Sequence, residues 1–385
     1  KKNKSYCNII TRNNKIVKLV DKKQVSSNCN QFIGLAFIKD YKIFWNGIKQ
    51  KIVIKGESQV SKGFNNLILK NKIYTKKFNW FDIGTEENYK KTLLFFEKYN
   101  FNKQNEFIYI SDKKVVKFFS DKQKCKRIIK ISKLNKKFYP KIKKFSNNFI
   151  SYDFINGETL YEKNNSIIIK HLLSYLENKF WKLKKNKISK ICKEFYKYKT
   201  FERIKIYKKK YNFKKDKINY INRKTVDKIE NLLKRIEWKK LYSGIPTRIH
   251  GDLQFDNILY TRNKKFKLID YRDNFGGKIN LGDKYYDLAK LYGGMILNYN
   301  QIKKNKFKYS EKKMIINYLI PKVNEKQINL FYNFVKSKNL DFLKIKLITS
   351  LIFLNMAPLH EYPFDKLLFA HGKINLQKNL NEKIS

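Results

Sequence analysis

The sequence predicts an α+β fold in which a small β-rich lobe, residues 101–155, precedes a larger helical lobe, residues 156–385. Apolar and polar residues alternate from Glu106 to Phe119 and from Phe149 to Ile155, which indicates short strands. After these strands, apolar residues recur mainly at helical spacing. The chain of 385 residues is long enough for two or three packed units, and its first hundred residues form a separate leading segment.

The composition favours a globular protein, because 42% of the residues are hydrophobic and 16% are aromatic. The formal net charge of +55 is typical of proteins that bind nucleic acid or an anionic membrane surface. The lysines are scattered along the chain, however, and glycine (14) and proline (5) are scarce, as expected from an AT-rich coding sequence. We therefore interpret most of the charge as a solvated surface and expect no specific nucleic-acid partner.

The four cysteines, Cys7, Cys29, Cys125 and Cys192, are far apart and form no CxxC pair, so the sequence predicts neither a disulfide framework nor a zinc site. The longest apolar stretch, 347–357, is shorter than the roughly 20 residues that cross a bilayer, and no secretory signal is visible. We expect a cytoplasmic protein without membrane insertion. The chain begins with a lysine and enters strand-like sequence directly, which is compatible with a fragment of a longer protein.

Local patterns predict further elements. A helix is expected from Glu86 to about Tyr99 with Thr85 as its N-cap, and another from Lys122 to Leu134. After residue 160 we expect mainly helices, interrupted by three short strands. The predicted strands outside the small lobe are Tyr6–Thr11, Ile16–Val20, Phe32–Ile38, Lys51–Ile54, Thr247–Ile249, Ile258–Tyr260 and Phe266–Asp270.

The strongest pattern is the segment 250–257, HGDLQFDN, which a short hairpin separates from the segment 268–271, LIDY. Phosphoryl transfer needs one carboxylate to orient the acceptor hydroxyl and take its proton, and oxygen ligands that hold Mg²⁺ against the phosphates. Asp252, Asn257 and Asp270 supply these groups in the order and spacing of a kinase catalytic loop and metal-binding aspartate. The pattern predicts an enzyme that uses ATP and Mg²⁺.

HGDLQFDN, with LIDYRDNFGG and GDKYYDLAKLYGG after it, resembles the aminoglycoside phosphotransferase and choline kinase superfamily. The resemblance implies a protein-kinase-like bilobal fold, with Asp252 as catalytic base and with Asn257 and Asp270 as Mg²⁺ ligands. His250 is expected to brace the loop rather than to react. For Asp287, a direct role and a capping or bracing role both remain open.

Upstream, Lys114–Phe119 has the strand pattern on which such kinases place the lysine that contacts the α- and β-phosphates, and Lys117 is the candidate. The segment 151–158 resembles the hinge between kinase lobes, so Tyr152 and Phe154 are candidates for adenine binding. Two features depart from the family. No glycine-rich loop precedes Lys117, and the helix 122–134 contains no glutamate to pair with it.

In this superfamily the helices after the metal aspartate form the acceptor pocket. His360 and Glu361 follow an apolar helical stretch and are candidate acceptor contacts. Ordinary capping at the end of a helix is the alternative.

Residues 1–100 resemble the distal half of a sugar-phosphate nucleotidyltransferase, on the segments NKIVKLVDK, FIGLAFI and WFDIGTEENY. The resemblance implies that Asp82 helps to bind a catalytic metal and that Lys22 approaches the sugar phosphate. The glycine-rich nucleotide loop and the first metal aspartate of that family are absent from this sequence. We therefore expect no nucleotidyltransferase activity from this chain alone.

Together these patterns predict an ATP-dependent phosphotransferase for a hydroxyl of a small molecule. The nucleotidyltransferase-like neighbour favours a sugar used for a capsule or lipopolysaccharide precursor. Choline or ethanolamine kinase is the alternative enzyme, and an aromatic, acidic pocket would favour it. A non-catalytic, basic nucleic-acid-binding protein on a decayed kinase fold is the alternative from another class. The acceptor, the preference for ATP over GTP and the oligomeric state are left open.

Overall fold

The computed structural model describes residues 6–21, 29–49, 53–54, 57–78, 80–97, 105–111, 113–163 and 165–382. The chain divides into two compact units, Lys1–Asn100 and Phe101–Ser385. The second unit begins with a four-stranded sheet and continues as a mainly helical body. The predicted α+β class, with a β-rich part before a helical part, is confirmed.

The first unit combines a three-stranded antiparallel sheet, ordered β2-β1-β3, with helices α1 and α2. Its elements are β1 (Cys7–Arg12), β2 (Lys15–Asp21), β3 (Cys29–Gln31), α1 (Tyr41–Ile48), β4 (Val53–Ile54), β5 (Glu57–Ser58), α2 (Val60–Lys70) and α3 (Glu86–Glu97). Five buried apolar side chains form its core: Ile9, Leu19, Phe44, Phe64 and Leu67.

Several predictions for this unit are confirmed and one is wrong. The two leading strands and α3 form where expected, and Thr85 caps α3 because its Oγ1 accepts the N–H of Asn88 at 3.2 Å. Phe32–Ile38 is not a strand. The third strand ends at Gln31, and Gly34 then adopts a φ of +83°, which an extended strand does not allow. Helices α1 and α2 were not predicted.

The small lobe of the second unit is an antiparallel sheet ordered β6-β7-β9-β8. Its elements are β6 (Glu106–Ile110), β7 (Lys114–Phe119), α4 (Lys122–Leu134), β8 (Ile142–Phe145) and β9 (Phe149–Asp153). Every second residue of β7 is buried, namely Val115, Lys117 and Phe119. The strand period therefore turns the lysine inward with its apolar neighbours.

The helical body contains the remaining elements and two short 3₁₀ turns, at Phe255–Asn257 and Ala357–Leu359. Its helices are α5 (Ser166–Tyr175, continued as a π-helical segment to Phe180), α6 (Ser189–Cys192, continued likewise to Tyr198), α7 (Lys199–Lys210), α8 (Ile229–Arg235), α9 (Trp238–Tyr242), α10 (Lys284–Ile296), α11 (Tyr299–Lys303), α12 (Glu325–Ser337), α13 (Phe342–Met356) and α14 (Phe364–Asn381). Its strands are β10 (Gly157–Thr159), β11 (Tyr220–Ile221), β12 (Lys224–Thr225), β13 (Pro246–Thr247), β14 (Ile258–Thr261), β15 (Phe266–Leu268), β16 (Gly282–Asp283), β17 (Lys308–Lys312) and β18 (Ile315–Leu319).

Helix α13 is the apolar centre of this body and packs against α10 and α14. The segment Phe342–Leu359 is long and apolar enough to cross a membrane by length and composition, but 61% of it is buried inside the protein. Two of its buried hydroxyl groups have internal partners, since Thr349 Oγ1 donates to Ala289 O at 3.0 Å and Asn379 donates to Ser350 Oγ at 3.1 Å. These contacts are those of a core helix.

The expectation that residues after 270 are helical is wrong for β17 and β18, which form an antiparallel hairpin. Strand β18 also pairs in parallel with β11, almost a hundred residues upstream. A pairing partner that far away leaves no local signal in the sequence. The predicted strands at 258–260 and 266–270 are confirmed as β14 and β15, and the one at 247–249 is a two-residue strand, Pro246–Thr247.

We predict that the buried ion pair between Lys373 and Asp216 is needed for folding. Both side chains are fully buried, their charged atoms are 2.6 Å apart, and Asp216 also accepts the N–H groups of Ile218 and Ile229. Lys373→Met would leave a buried carboxylate without its cation and should lower the free energy of unfolding by about 3 to 5 kcal/mol. Chemical denaturation measures this change. Lys378→Met, at an exposed position of the same helix, should change stability by less than about 0.5 kcal/mol.

Candidate active site

The predicted catalytic segments meet because β14 and β15 are an antiparallel pair. Ile258 lies opposite Leu268, so the residue before β14 and the residues after β15 are neighbours. A backbone hydrogen bond of 2.9 Å from Ile269 N to Asn257 O ties the two strand ends together. The hairpin therefore brings Asn257 next to Asp270.

Asp252 lies at the centre of a hydrogen-bond network within its own loop. Asn257 Nδ2 donates to the Asp252 carbonyl at 2.8 Å and to its carboxylate Oδ2 at 3.3 Å. Gln254 Nε2 donates to the other carboxylate oxygen, Oδ1, at 2.9 Å. Lys290 Nζ of α10 is also 2.9 Å from Oδ1, a contact that sequence reasoning missed. The carboxylate is held by short contacts on both oxygens.

Lys117 of the small lobe forms an ion pair with Asp270, with 2.8 Å between Nζ and Oδ1. Burial lowers the pKa of Lys117, but the Asp270 carboxylate outweighs this effect and the net pKa is raised, so the lysine is charged. Asp270 has a φ of +57°, in the left-handed region that side-chain-bearing residues rarely adopt. The backbone there is strained in the conformation that faces Lys117.

The two adenine candidates differ in their surroundings. Tyr152 is buried in β9, and its ring centroid is 5.9 Å from Lys117 Nζ. Phe154 has an exposed side chain, and its backbone N–H donates to Lys113 O at 3.0 Å. That sheet bond occupies the N–H, which leaves the Phe154 carbonyl as the group at this position that could face a base.

His250 links the catalytic loop to the strand before Asp270. Its Nδ1 accepts the N–H of Asp252 at 3.2 Å, so its proton is on Nε2, which donates to Ile269 O at 2.9 Å. Burial lowers the pKa of His250 to about 4, and the ring is therefore neutral near pH 7. These two bonds are those of a bracing residue.

Gly251 gives the loop its turn. Its φ is +79°, and a Cβ atom there would lie 2.7 Å from the Cβ of Arg272. Arg272 in turn donates its backbone N–H to His250 O at 2.9 Å. Only glycine allows both the positive φ and this close approach of the two segments.

Asp287 of α10 holds the backbone of the loop 250–257. Its carboxylate accepts the backbone N–H groups of His250 at 2.9 Å and Gly251 at 2.8 Å, and the indole N–H of Trp181 at 3.1 Å. Burial raises the pKa of this carboxyl to about 6. These three contacts are structural, and they account for the buried carboxylate of Asp287 without any contact to the reacting groups.

The two acceptor candidates after α13 lie close together but differ in exposure. Glu361 has a side chain that is 88% exposed and pairs with Lys210 at 3.2 Å. His360 is half-buried, and its ring packs on Phe364 with centroids 4.9 Å apart. Burial is the main cause that lowers the His360 pKa to about 4, and the charge of Lys290 is the next.

In the leading segment, the Asp82 carboxylate accepts hydrogen bonds from Tyr6, from Gly84 N at 2.9 Å and from Asn88 Nδ2 at 2.7 Å. These contacts fix the turn before α3. Lys22 lies outside the described residues. No group of three or more His, Cys, Asp or Glu side chains in the described part of either unit forms a metal cluster. The nucleotidyltransferase likeness of this segment stays a prediction.

No protein-family model matches the chain, and no curated protein matches it. Among solved structures it is similar to an ethanolamine kinase from Plasmodium vivax, with a TM-score of 0.41 and 14% identity over 85% of this chain and 95% of that one. It is also similar to the choline kinase LicA from Streptococcus pneumoniae, with a TM-score of 0.42 and 14% identity over 77% of this chain and 99% of that one.

A third similar structure is the gentamicin complex of APH(2")-IIa, with a TM-score of 0.38 and 15% identity over 78% of this chain and 97% of that one. Choline and ethanolamine kinases and aminoglycoside phosphotransferases are the proteins that the sequence resemblance names. At such low scores these similarities carry no argument about function. The evidence for a function is the geometry of four residues, Asp252, Asn257, Asp270 and Lys117.

We predict that Asp287 is needed to hold the catalytic loop. Asp287→Asn would replace one acceptor oxygen by an NH2 group, which would face either the N–H of Gly251 or the N–H groups of His250 and Trp181. The misplaced loop should lower kcat by about 10²-fold, which steady-state kinetics measures. Asp341→Asn is the control, because that carboxylate caps α13 by accepting Lys344 N at 2.9 Å and lies outside the loop network. Equal loss in both variants would contradict a specific role for Asp287.

Proposed function

We propose that this chain is an ATP-dependent kinase that transfers the γ-phosphoryl group to a hydroxyl of a small molecule. The observation that carries the proposal is the convergence of Asp252, Asn257 and Asp270 on one hairpin, with Lys117 of the small lobe against Asp270. Phosphoryl transfer requires carboxylate and amide oxygens held in fixed positions beside a cation.

The donor chemistry fits Mg²⁺. The Asp270 carboxylate and the Asn257 amide oxygen are hard oxygen ligands, and Asn257 already commits its Nδ2 to Asp252, which leaves Oδ1 for a cation. When held by Asp270 and Asn257, Mg²⁺ would supply positive charge that reduces the negative charge opposing attack.

The residues of the chain divide the work as follows. Asp252 orients the acceptor hydroxyl and takes its proton, while Gln254 and Lys290 hold its carboxylate in place. Lys117 contacts the phosphates of ATP, which requires that it share or leave its contact with Asp270. Tyr152 and Phe154 lie at the strand end that would border the adenine.

A sugar for capsule or lipopolysaccharide synthesis is the acceptor that the nucleotidyltransferase-like leading segment favours. One activity would make a phosphorylated sugar and the other would convert it to a nucleotide conjugate. A cytoplasmic location fits the two proposed substrates, ATP and a sugar, and it fits the four free cysteines. Choline and ethanolamine are the competing acceptors.

We predict that Asp270→Ala and Asp252→Asn fail in different ways. Asp270→Ala should lose Mg²⁺-dependent nucleotide binding and nearly all turnover, whereas Asp252→Asn should still bind Mg-ATP and lose about 10²- to 10⁴-fold in kcat. ATP consumption with a panel of hexoses, N-acetylhexosamines, heptoses, choline and ethanolamine measures turnover, and calorimetry measures binding.

Asp256→Asn is the matched control for these two variants. Asp256 lies in the same loop, but its carboxylate pairs with Lys303 at 2.6 Å rather than with the catalytic groups. Its kcat should stay within a few-fold of the parent chain. Full turnover by Asp270→Ala would refute the site assignment. An absence of Mg-ATP binding by the parent chain would refute the kinase proposal.

A further inference from the structure

Four basic side chains from α7, α10 and the segment after Asp270 form a cluster beside the loop of Asp252, where Arg272 Nε donates to Gly251 O at 3.3 Å. Lys290 of α10 contacts Asp252 directly, with 2.9 Å between Nζ and Oδ1. Lys199 at the start of α7 places its Nζ 3.9 Å from the centroid of the Phe195 ring, and Arg272 places its Cζ 5.3 Å from the same ring. Arg203, one helical turn after Lys199, is the fourth member.

Three of these cations lack an anionic partner in the part of the chain that the structure describes. Lys199, Arg203 and Arg272 are all half-buried, and none has a described carboxylate oxygen within 4.0 Å. Half-buried cations that repel one another are costly unless an anion accompanies them. In a folded enzyme, such a cluster beside the catalytic carboxylate is suited to a negatively charged ligand.

The electrostatics of Lys199 agree with this geometry. Its pKa is lowered to about 6, first by burial and then by the charges of Arg272 and Lys290, so Lys199 holds its proton near neutral pH only when an anion lies beside it. Arg203 acts in the same direction, and Asp252 opposes them. Burial followed by the charge of Arg272 also lowers the pKa of Arg203. The four side chains therefore act on one another as one cluster.

The cluster is separate from the cation assigned to ATP. The charged and titratable groups that act on Lys117 are Asp270, Tyr152 and Tyr271. Those that act on Lys199 are Arg272, Lys290, Arg203 and Asp252, so the two sets share no member.

The same side of the loop is a poor place for an ammonium group. The carboxylate of Glu361 pairs with Lys210 at 3.2 Å, and that of Asp365 pairs with the same lysine at 2.9 Å. Asp252 itself is contacted by Lys290. Choline, ethanolamine and aminoglycosides carry positive charge, which the net cationic surroundings would repel.

We propose that the acceptor is an acidic hydroxy compound, whose phosphate or carboxylate group is bound by Lys199, Arg203 and Arg272 while its hydroxyl lies at Asp252. This inference rests on the proposed kinase function and names its substrate class. In the reaction, the hydroxyl oxygen bonds to the γ-phosphorus and its proton passes to the Asp252 carboxylate. The bond from the γ-phosphorus to the β–γ bridging oxygen breaks, and ADP leaves with the electron pair.

Matched acceptors test the substrate class. The full chain with Mg-ATP should phosphorylate an acidic compound, a hexose 6-phosphate or a hexuronic acid, with a kcat/KM roughly 10- to 100-fold above that of the neutral hexose. The two acids distinguish a phosphate from a carboxylate. Faster transfer to the neutral hexose or to choline would overturn the inference and leave the kinase proposal intact. Mg-ATP binding without binding or transfer of any acidic member would overturn it as well.

Variants test the residues. Lys199→Gln and Arg203→Gln should each raise the KM for the acidic acceptor by roughly tenfold or more while the KM for ATP stays the same. Lys199→Arg should restore most of the loss because it restores the charge. Lys205→Gln, an exposed position on the same helix, is the matched control. A rise in the KM for ATP instead would assign the cluster to the nucleotide and overturn the inference.

Discussion

The site depends on one buried carboxylate. Asp287 is fully buried, yet it accepts hydrogen bonds from two successive backbone N–H groups of the catalytic loop and from Trp181. Burial raises its pKa, so the folded state bears a cost for keeping it ionised near neutral pH. The three N–H donors offset that cost and connect α10 to the loop. Since α10 also carries Lys290, the same helix fixes both the backbone and the carboxylate of the loop.

From that anchor the remaining groups follow through short links. His250 connects the loop to the strand before Asp270, because one ring nitrogen accepts the N–H of Asp252 and the other donates to Ile269 O. Ile269 N then bonds to Asn257 O, and Asp270 comes next in the chain. The candidate catalytic base and the candidate metal ligands are therefore positioned by backbone groups, which move less than side chains. Such a chain of contacts keeps the reacting groups within the small tolerance that phosphoryl transfer needs.

The parts of the site that could be predicted from sequence are those whose geometry is local. Asp252 and Asn257 are five residues apart, and the β14–β15 hairpin that adds Asp270 has an ordinary strand pattern. Lys290 could not be found this way. The segment GDKYYDLAKLYGG contains two lysines, and the sequence does not indicate that Lys290 rather than Lys284 contacts Asp252. The position of each lysine around the axis of α10 determines which one faces the carboxylate. Strands β17 and β18 were missed for the same reason, since their pairing with β11 is distant in the chain.

The small lobe resolves a departure that the sequence left open. Helix α4 has no glutamate for Lys117, and Asp270 takes that place as the partner of the lysine. Helix α4 is connected to the same segment by a second pair of the same polarity, since Arg127 donates to Asp273 at 2.7 Å. Both contacts join the lobes through residues 270–273, so the segment that would hold the metal is also the segment that fixes α4. If a nucleotide drew Lys117 toward its phosphates, α4 would still be held by the Arg127–Asp273 pair and by Tyr271, whose hydroxyl donates to Ile128 O at 3.0 Å, so the lysine could move without releasing α4.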